Sequence, residues 1–123
     1  MSGLGVSGAP AAVDRTLAAL ADPHRRRVVD LLAERPRRAG ELADELGVSA
    51  PAMSRHLKAL KAGGLVAESH PEFDARVRIY ELRPAPMLEL LRWMEGAERL
   101  WSEQLLAFKA HLERKKPTPG ERK

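Results

Sequence analysis

Apolar residues recur at helical spacing through most of the chain, and the breaks in that rhythm divide it into helices and one hairpin. Val13, Leu17 and Leu20 share a face of a first helix expected over Ala11–Ala21. Asp22-Pro23 supplies a cap followed by a proline at the first helical position. The helix it opens should run to about Glu34, burying Val28, Val29, Leu31 and Leu32. Pro36 then stops it. Leu42, Ala43 and Leu46 mark a third helix, and Gly47 falls where a left-handed cap is wanted. Val48 should point inward, and Ser49 can accept from the first free amides of a fourth helix. Ala50 and Pro51 occupy its first turn, where a missing amide hydrogen costs nothing. Met53, Leu57 and Leu60 give it one buried stripe, and Gly63-Gly64 turns the chain.

Beyond Gly64 the period changes from helical to alternating. Leu65–His70 and Arg76–Leu82 are expected as two short strands, joined by the polar turn Pro71–Ala75. Pro84 and Pro86 break the second strand. From about Met87 to Glu113 the pattern predicts a long amphipathic helix, or two with a bend near Gly96. Leu91, Met94, Ala97, Trp101, Leu105, Phe108 and Leu112 recur there at spacings of three and four. So small a domain cannot bury that stripe without a partner surface. Residues 1–10 are expected to form a disordered arm and residues 115–123 a disordered basic tail, leaving 11–114 as one folded domain.

Two short helices joined by a tight turn, the second with a polar outer face, make a helix-turn-helix; a hairpin directly after it makes a winged one. The fold expected is therefore mainly α with a small β-hairpin wing, dimerising through its terminal helices. The outer face of the fourth helix carries Ala50, Ser54, Arg55, Lys58 and Lys61, with His56 beside them. Ser54, Arg55 and Lys58 are the expected DNA readers, since arginine can make a bidentate contact to guanine. His56, next to buried Leu57, reads as a packing or phosphate residue, and Lys61 as a phosphate contact or a solvated charge. Ser49, Ala50 and Pro51 stand at the helix start, where DNA also approaches. Arg38, at the start of the third helix, can grip a phosphate. Arg76 and Arg78, on alternate strand positions, are expected to face one way, toward backbone or minor groove. Glu68, Glu72 and Asp74 oppose them, so the wing should contact DNA more weakly than the helix. Arg25-Arg26-Arg27 reads either as a phosphate contact or as a solvated face paired with Asp30 and Glu34.

Composition narrows the partners. The chain has 123 residues, a net charge of +4 and no cysteine. It is one domain, small for an enzyme with a deep cleft. The positive balance suits a polyanion such as double-stranded DNA. Lack of cysteine removes disulfides and thiolate metal sites. No apolar run approaches the ~20 residues of a membrane span, and no secretory leader is evident, so a cytoplasmic location is expected.

Three blocks carry a family resemblance: L-A-D-P-H-R-R-R at Leu20–Arg27, E-L-A-D-E-L-G-V-S at Glu41–Ser49, and S-R-H-L-K-A-L-K-A-G-G-L-V at Ser54–Val66. In that order and separation they resemble the ArsR family of bacterial winged-helix repressors, over roughly Val13 to Leu112. Where the family usually has Gln-Pro this chain has Ala50-Pro51, so one base-reading amide is absent. The resemblance implies a two-fold homodimer in which the terminal helix pairs with the first. Val13, Leu17, Leu91, Met94, Trp101, Leu105 and Phe108 are then its interface. It also implies binding to a palindromic operator and repression of the gene downstream.

Many members of the family sense metals, but this sequence lacks the means they use. The cysteine motif is replaced by R-A-G-E-L at Arg38–Leu42. His24, His56, His70 and His111 stand singly, and His111 with Glu103 and Glu113 makes only a poor, oxygen-rich set. No metal site and no cofactor are expected. Trp93 and Trp101, about 80° apart on a helix, read either as interface core or as the lining of an effector cavity, with no effector implied. No nucleophile–base pair or phosphate loop is present, and Gly3–Gly8 lacks the strand and helix of a dinucleotide fingerprint, so no enzyme activity is expected. Two alternatives stay open: a winged helix used for protein–protein assembly, and a repressor that answers to a small molecule or metal.

Overall fold

The computed structural model describes residues 10–115, so the expected arm and tail fall almost wholly outside the described residues. Five helices and three strands follow in order: α1 (Ala11–Ala19), α2 (Pro23–Glu34), β1 (Arg37–Arg38), α3 (Ala39–Leu46), α4 (Ala50–Ala62), β2 (Val66–Ser69), β3 (Ile79–Leu82) and α5 (Pro84–Lys115). The chain divides into two compact units, up to Leu90 and from Leu91 on.

In the first unit, α2, α3 and α4 enclose a core of Val28, Leu32, Leu42, Met53, Leu57 and Leu60, closed by Leu65, Val66 and Tyr80 from the sheet. Each fully buried aliphatic side chain contributes about 1.5–3 kcal/mol. The local signals act as their chemistry demands. Asp22 caps α2, accepting from the amides of His24 at 2.7 Å and Arg25 at 3.3 Å. Ser49 caps α4 through the Ala52 amide at 3.2 Å. Gly47 ends α3 at φ 67°, a left-handed conformation that a side chain would strain.

Several expectations need correcting. α1 stops at Ala19, because its last carbonyls bond sideways rather than onward. Arg25 Nε donates to the Ala19 carbonyl at 2.6 Å, and Arg26 Nη1 donates to that of Leu20 at 2.7 Å. These two arginines therefore tie α2 to the end of α1. The pairing of their run with Asp30 and Glu34 is not what is found. Leu31 is only partly buried, while Thr16 on α1 is buried, its hydroxyl donating to the Ala12 carbonyl at 3.1 Å.

The sheet has three strands rather than two, in the order β1-β3-β2, all antiparallel. Strand β1, which the sequence does not announce, sets Arg37 opposite Tyr80 and Arg38 opposite Ile79. The hairpin strands are shorter than expected. Residues 71–77 bond among themselves instead: Val77 N donates to the Asp74 carbonyl at 3.2 Å, and Arg76 N to Asp74 Oδ1 at 3.0 Å. Arg76 and Arg78 thus precede β3 rather than lying on it.

Helix α5 begins at Pro84, not Met87: a proline is tolerated within a first turn, so neither Pro84 nor Pro86 delays it. It continues through Gly96 without interruption. The second unit is its continuation from Leu91. There Leu91, Met94, Trp101, Leu105, Phe108 and Leu112 are all exposed, Leu105 to 65%. Trp93 and Trp101 meet edge to face, ring centroids 5.7 Å apart. Val13, expected at a dimer interface, is buried within the chain, whereas Leu17 is exposed. Among the described residues, no helix is long and apolar enough to cross a membrane.

Candidate nucleic-acid interface

The outer face of α4 follows from its inner one. With Met53, Leu57 and Leu60 buried, the 3.6-residue period turns Ser54, Arg55, Lys58 and Lys61 outward, and all four are exposed. Ala50 and Pro51 are exposed on the first turn, beside Ser49. A polar face this continuous, on a helix pinned by its opposite side, can enter a groove without unfolding anything.

Beside it lies a concavity of about 550 Å³, walled by α3, α4 and the chain leading into β3. Arg38, Ser54, Arg76 and Arg78 all line it. The antiparallel pairing of β1 with β3 makes this possible: it brings Arg38 alongside the wing, 38 positions from Arg76 in sequence. Three guanidinium groups around one recess form a strong attractor for phosphate oxygens. Arg38 and Arg76 are exposed, and Arg76 is held only loosely, its Nε 3.4 Å from Asp74 Oδ1.

The next arginine in the same run behaves differently. Arg37 has a side chain only 8% exposed. Its Nε donates to the Leu31 carbonyl at 3.1 Å, Nη1 to Glu41 Oε2 at 3.0 Å and Nη2 to Glu34 Oε1 at 2.6 Å. Arg35 also pairs with Glu41. The hydrogen bond from Arg35, opposed by partial burial and helped by both arginine charges, holds the Glu41 carboxyl below its usual range. Of the basic connection Arg35–Arg38, then, Arg35 and Arg37 brace α2 against α3 and Arg38 faces the recess. Strand alternation over β1 sends Arg37 in and Arg38 out, a rhythm too short to read from sequence.

The wing charges are also organised. Glu68 on β2 faces Lys61 Nζ at 3.0 Å, Arg78 Nε at 3.6 Å and His70 Nε2 at 4.0 Å. The Lys61 hydrogen bond, against some burial, keeps the Glu68 carboxyl below its ordinary value. Interaction with the Tyr80 phenol, then with Glu68, raises the Arg78 guanidinium. Lys61 and Arg78 are therefore partly neutralised by one carboxylate, whereas Arg55 and Lys58 have no ion-pair partner among the described residues. Sequence reasoning treated Glu68 only as a general acidic contribution and missed this pairing.

His56 turns away from the other polar residues of α4. It is half-buried and faces Asp22 and His24 at the start of α2, which a linear search for paired histidines could not see.

The comparisons with known proteins agree with this geometry. A helix-turn-helix domain family matches residues 20–69, from the end of α1 through β2. The chain is 41% identical over 95 residues to the HTH-type transcriptional regulator Rv2034 of Mycobacterium tuberculosis, covering 77% of this chain and 83% of the relative. It is 29% identical over 76 residues to the transcriptional repressor SdpR of Bacillus subtilis, covering 62% and 81%. Among solved structures, an ArsR-like transcriptional regulator from Rhodococcus sp. RHA1 superposes with a TM-score of 0.65 at 31% identity, over 81% of this chain and 92% of that one. With the helix-turn-helix, the wing and its basic recess all in place, the chain belongs to the ArsR family of winged helix-turn-helix DNA-binding transcriptional regulators.

Proposed function

We propose that the protein is a repressor that binds a short palindromic operator as a homodimer. The observation that carries this reading is the exposed face of α4, with Ser54, Arg55 and Lys58, beside a recess ringed by Arg38, Arg76 and Arg78. In this reading α4 enters the major groove, where Arg55 reads a base and Ser54 supports it. Lys58 and Lys61 meet phosphates. Ser49, Ala50 and Pro51 approach the backbone at the start of the helix, and the arginines of the recess clamp the adjacent phosphate. His56 acts from behind the helix, holding it rather than reading DNA.

The homodimer rests on the second unit. Leu91, Met94, Trp101, Leu105 and Phe108 form an exposed apolar stripe that a second copy would cover, and the large apolar Leu17 of α1 is exposed as well. Two α4 helices related by a two-fold axis would then enter successive major grooves, ~34–36 Å apart. Repression is supported by SdpR, a relative that is itself a repressor.

The test is binding of the purified protein to the DNA upstream of its own gene against a scrambled duplex, over a salt series. Tight binding to the native fragment, falling steeply as salt rises, is the expected result. Equal affinity for both duplexes would remove sequence-specific recognition of that fragment, and no binding at low salt would favour a winged helix used for protein assembly.

A further inference from the structure

Folding brings His56 against Asp22 and His24, which stand two positions apart at the start of α2. Asp22 caps α2, His24 sits in its first turn, and His56 projects from the middle of α4, 32 positions further along. The two imidazoles lie 5.4 Å apart between centroids, tilted by 45°. His24 Nδ1 is 3.8 Å and His56 Nδ1 4.0 Å from Asp22 Oδ1, and one donor atom from each residue falls within 4.8 Å of the others.

We infer that Asp22, His24 and His56 form a binding site for a divalent transition-metal ion of the zinc type, clamping the start of α2 to the recognition helix α4.

The donor set is two imidazoles and one carboxylate, a combination that suits zinc and its neighbours and disfavours magnesium and calcium. Tetrahedral zinc with bonds of about 2.0–2.1 Å holds its donors about 3.3–3.5 Å apart. The observed 3.8 and 4.0 Å distances therefore need to close by about half an ångström, and the two imidazole donors, within 4.8 Å of each other, by no more than about 1.5 Å, which side-chain rotations can supply. Neither ring makes a hydrogen bond among the described residues, the carboxylate standing 3.8 and 4.0 Å away, so binding breaks none. Oδ1, the oxygen that faces both rings, also accepts from the two capping amides, so a metal bound there shares it with the helix cap. Graded exposure suits an open coordination site: the His56 side chain is 17% exposed and that of His24 48%, so a fourth position can be filled from solvent. The nearby positive charge of Arg25 opposes a cation, but its guanidinium is turned onto the Ala18 and Ala19 carbonyls.

The test uses the full, untagged chain titrated with Zn2+, with Co2+ as a spectroscopic probe and Mg2+ as a control. Expected are one Zn2+ per chain, a raised melting temperature, and visible Co2+ absorption of four-coordinate strength. Mg2+ should give none of these. His24→Ala and His56→Ala should each weaken Zn2+ binding by about tenfold or more, while His70→Ala and His111→Ala leave it unchanged. Asp22→Asn keeps a competent cap and should also weaken binding. Imidazole NMR signals of His24 and His56 alone should respond to Zn2+, a readout that stands even where one variant folds poorly. Absence of binding by the native chain, binding that survives the His24→Ala/His56→Ala double variant, or loss in His70→Ala or His111→Ala instead would each overturn the site.

Discussion

Lys61 Nζ stands 3.0 Å from Glu68 Oε1, so the last turn of α4 is fastened to the first strand of the wing by a charge that DNA would also attract. The same carboxylate draws on Arg78. Removing it should release two cations at once. Glu68→Gln is expected to raise affinity for any duplex about threefold at low salt and to lose most of that gain at high salt. Its cost in stability should stay below about 1 kcal/mol, as for other solvent-screened pairs. An unchanged or weakened affinity would show that the pair positions Lys61 rather than restraining it.

Arg55 and Lys58 are neighbours on α4 with different expected roles. Arg55→Ala should weaken operator binding by about tenfold and relax preference at one base position. Lys58→Ala should weaken operator and random DNA about equally and lower the salt slope by about one. Equal losses on both duplexes for both variants would remove this division of labour.

Arg37 and Arg38 are adjacent yet should fail in opposite assays. Arg37→Ala leaves the Leu31 carbonyl and Glu34 without their donor and takes one of two donors from Glu41, so it should lower unfolding stability by about 2–3 kcal/mol. Arg38→Ala should leave urea unfolding within about 0.5 kcal/mol of the native chain and weaken DNA binding. Urea denaturation and a fluorescence binding titration, run on both variants, separate the two.

The acid limb of stability should report Glu41 and Glu68. Both have folded pKa values below their ordinary 4.5, so their contribution is present above about that pH and is lost as pH falls through the lower, folded value. Glu41→Gln and Glu68→Gln should each flatten the stability profile below about pH 4.5. Identical profiles for native and variant chains would show that neither carboxylate is linked to folding.

Leu105→Glu places a charge on the exposed stripe of the second unit. Sedimentation should show a monomer where the native chain sediments as a dimer, while the far-ultraviolet signal of the winged helix is kept. Operator affinity should fall by more than tenfold, because one half-site then binds alone. A native chain that sediments as a monomer would end the homodimer reading.

Much of this architecture could be read before the structure, for definite reasons. α3 and α4 declare themselves because Leu42, Leu46, Met53, Leu57 and Leu60 are spaced for burial, and Gly47 and Ser49 have one good local use each. The outward set on α4 then follows by subtraction. What could not be read depends on contacts between distant segments. Nothing in Arg35-Pro36-Arg37-Arg38 says which arginine turns inward; that is decided by pairing with Tyr80 and Ile79, some forty residues away. Arg25 and Arg26 look like a solvated run until the end of α1 comes within their reach. The strand expected from Arg76 starts late because Asp74 offers the backbone a better local partner. His24 and His56 meet only because α2 and α4 pack together.

The two-residue strand β1 has a consequence for how the molecule opens. It joins α3 to β3, β3 is bonded to β2, and β2 follows directly from α4, so these segments form a closed circuit of neighbours. Fraying β3 exposes the root of α3, and loosening α3 frees β3. Slow amide protons in all of them should therefore exchange through a single shared opening, at nearly one free energy. The parts of this chain that would touch DNA either hold together or come apart together.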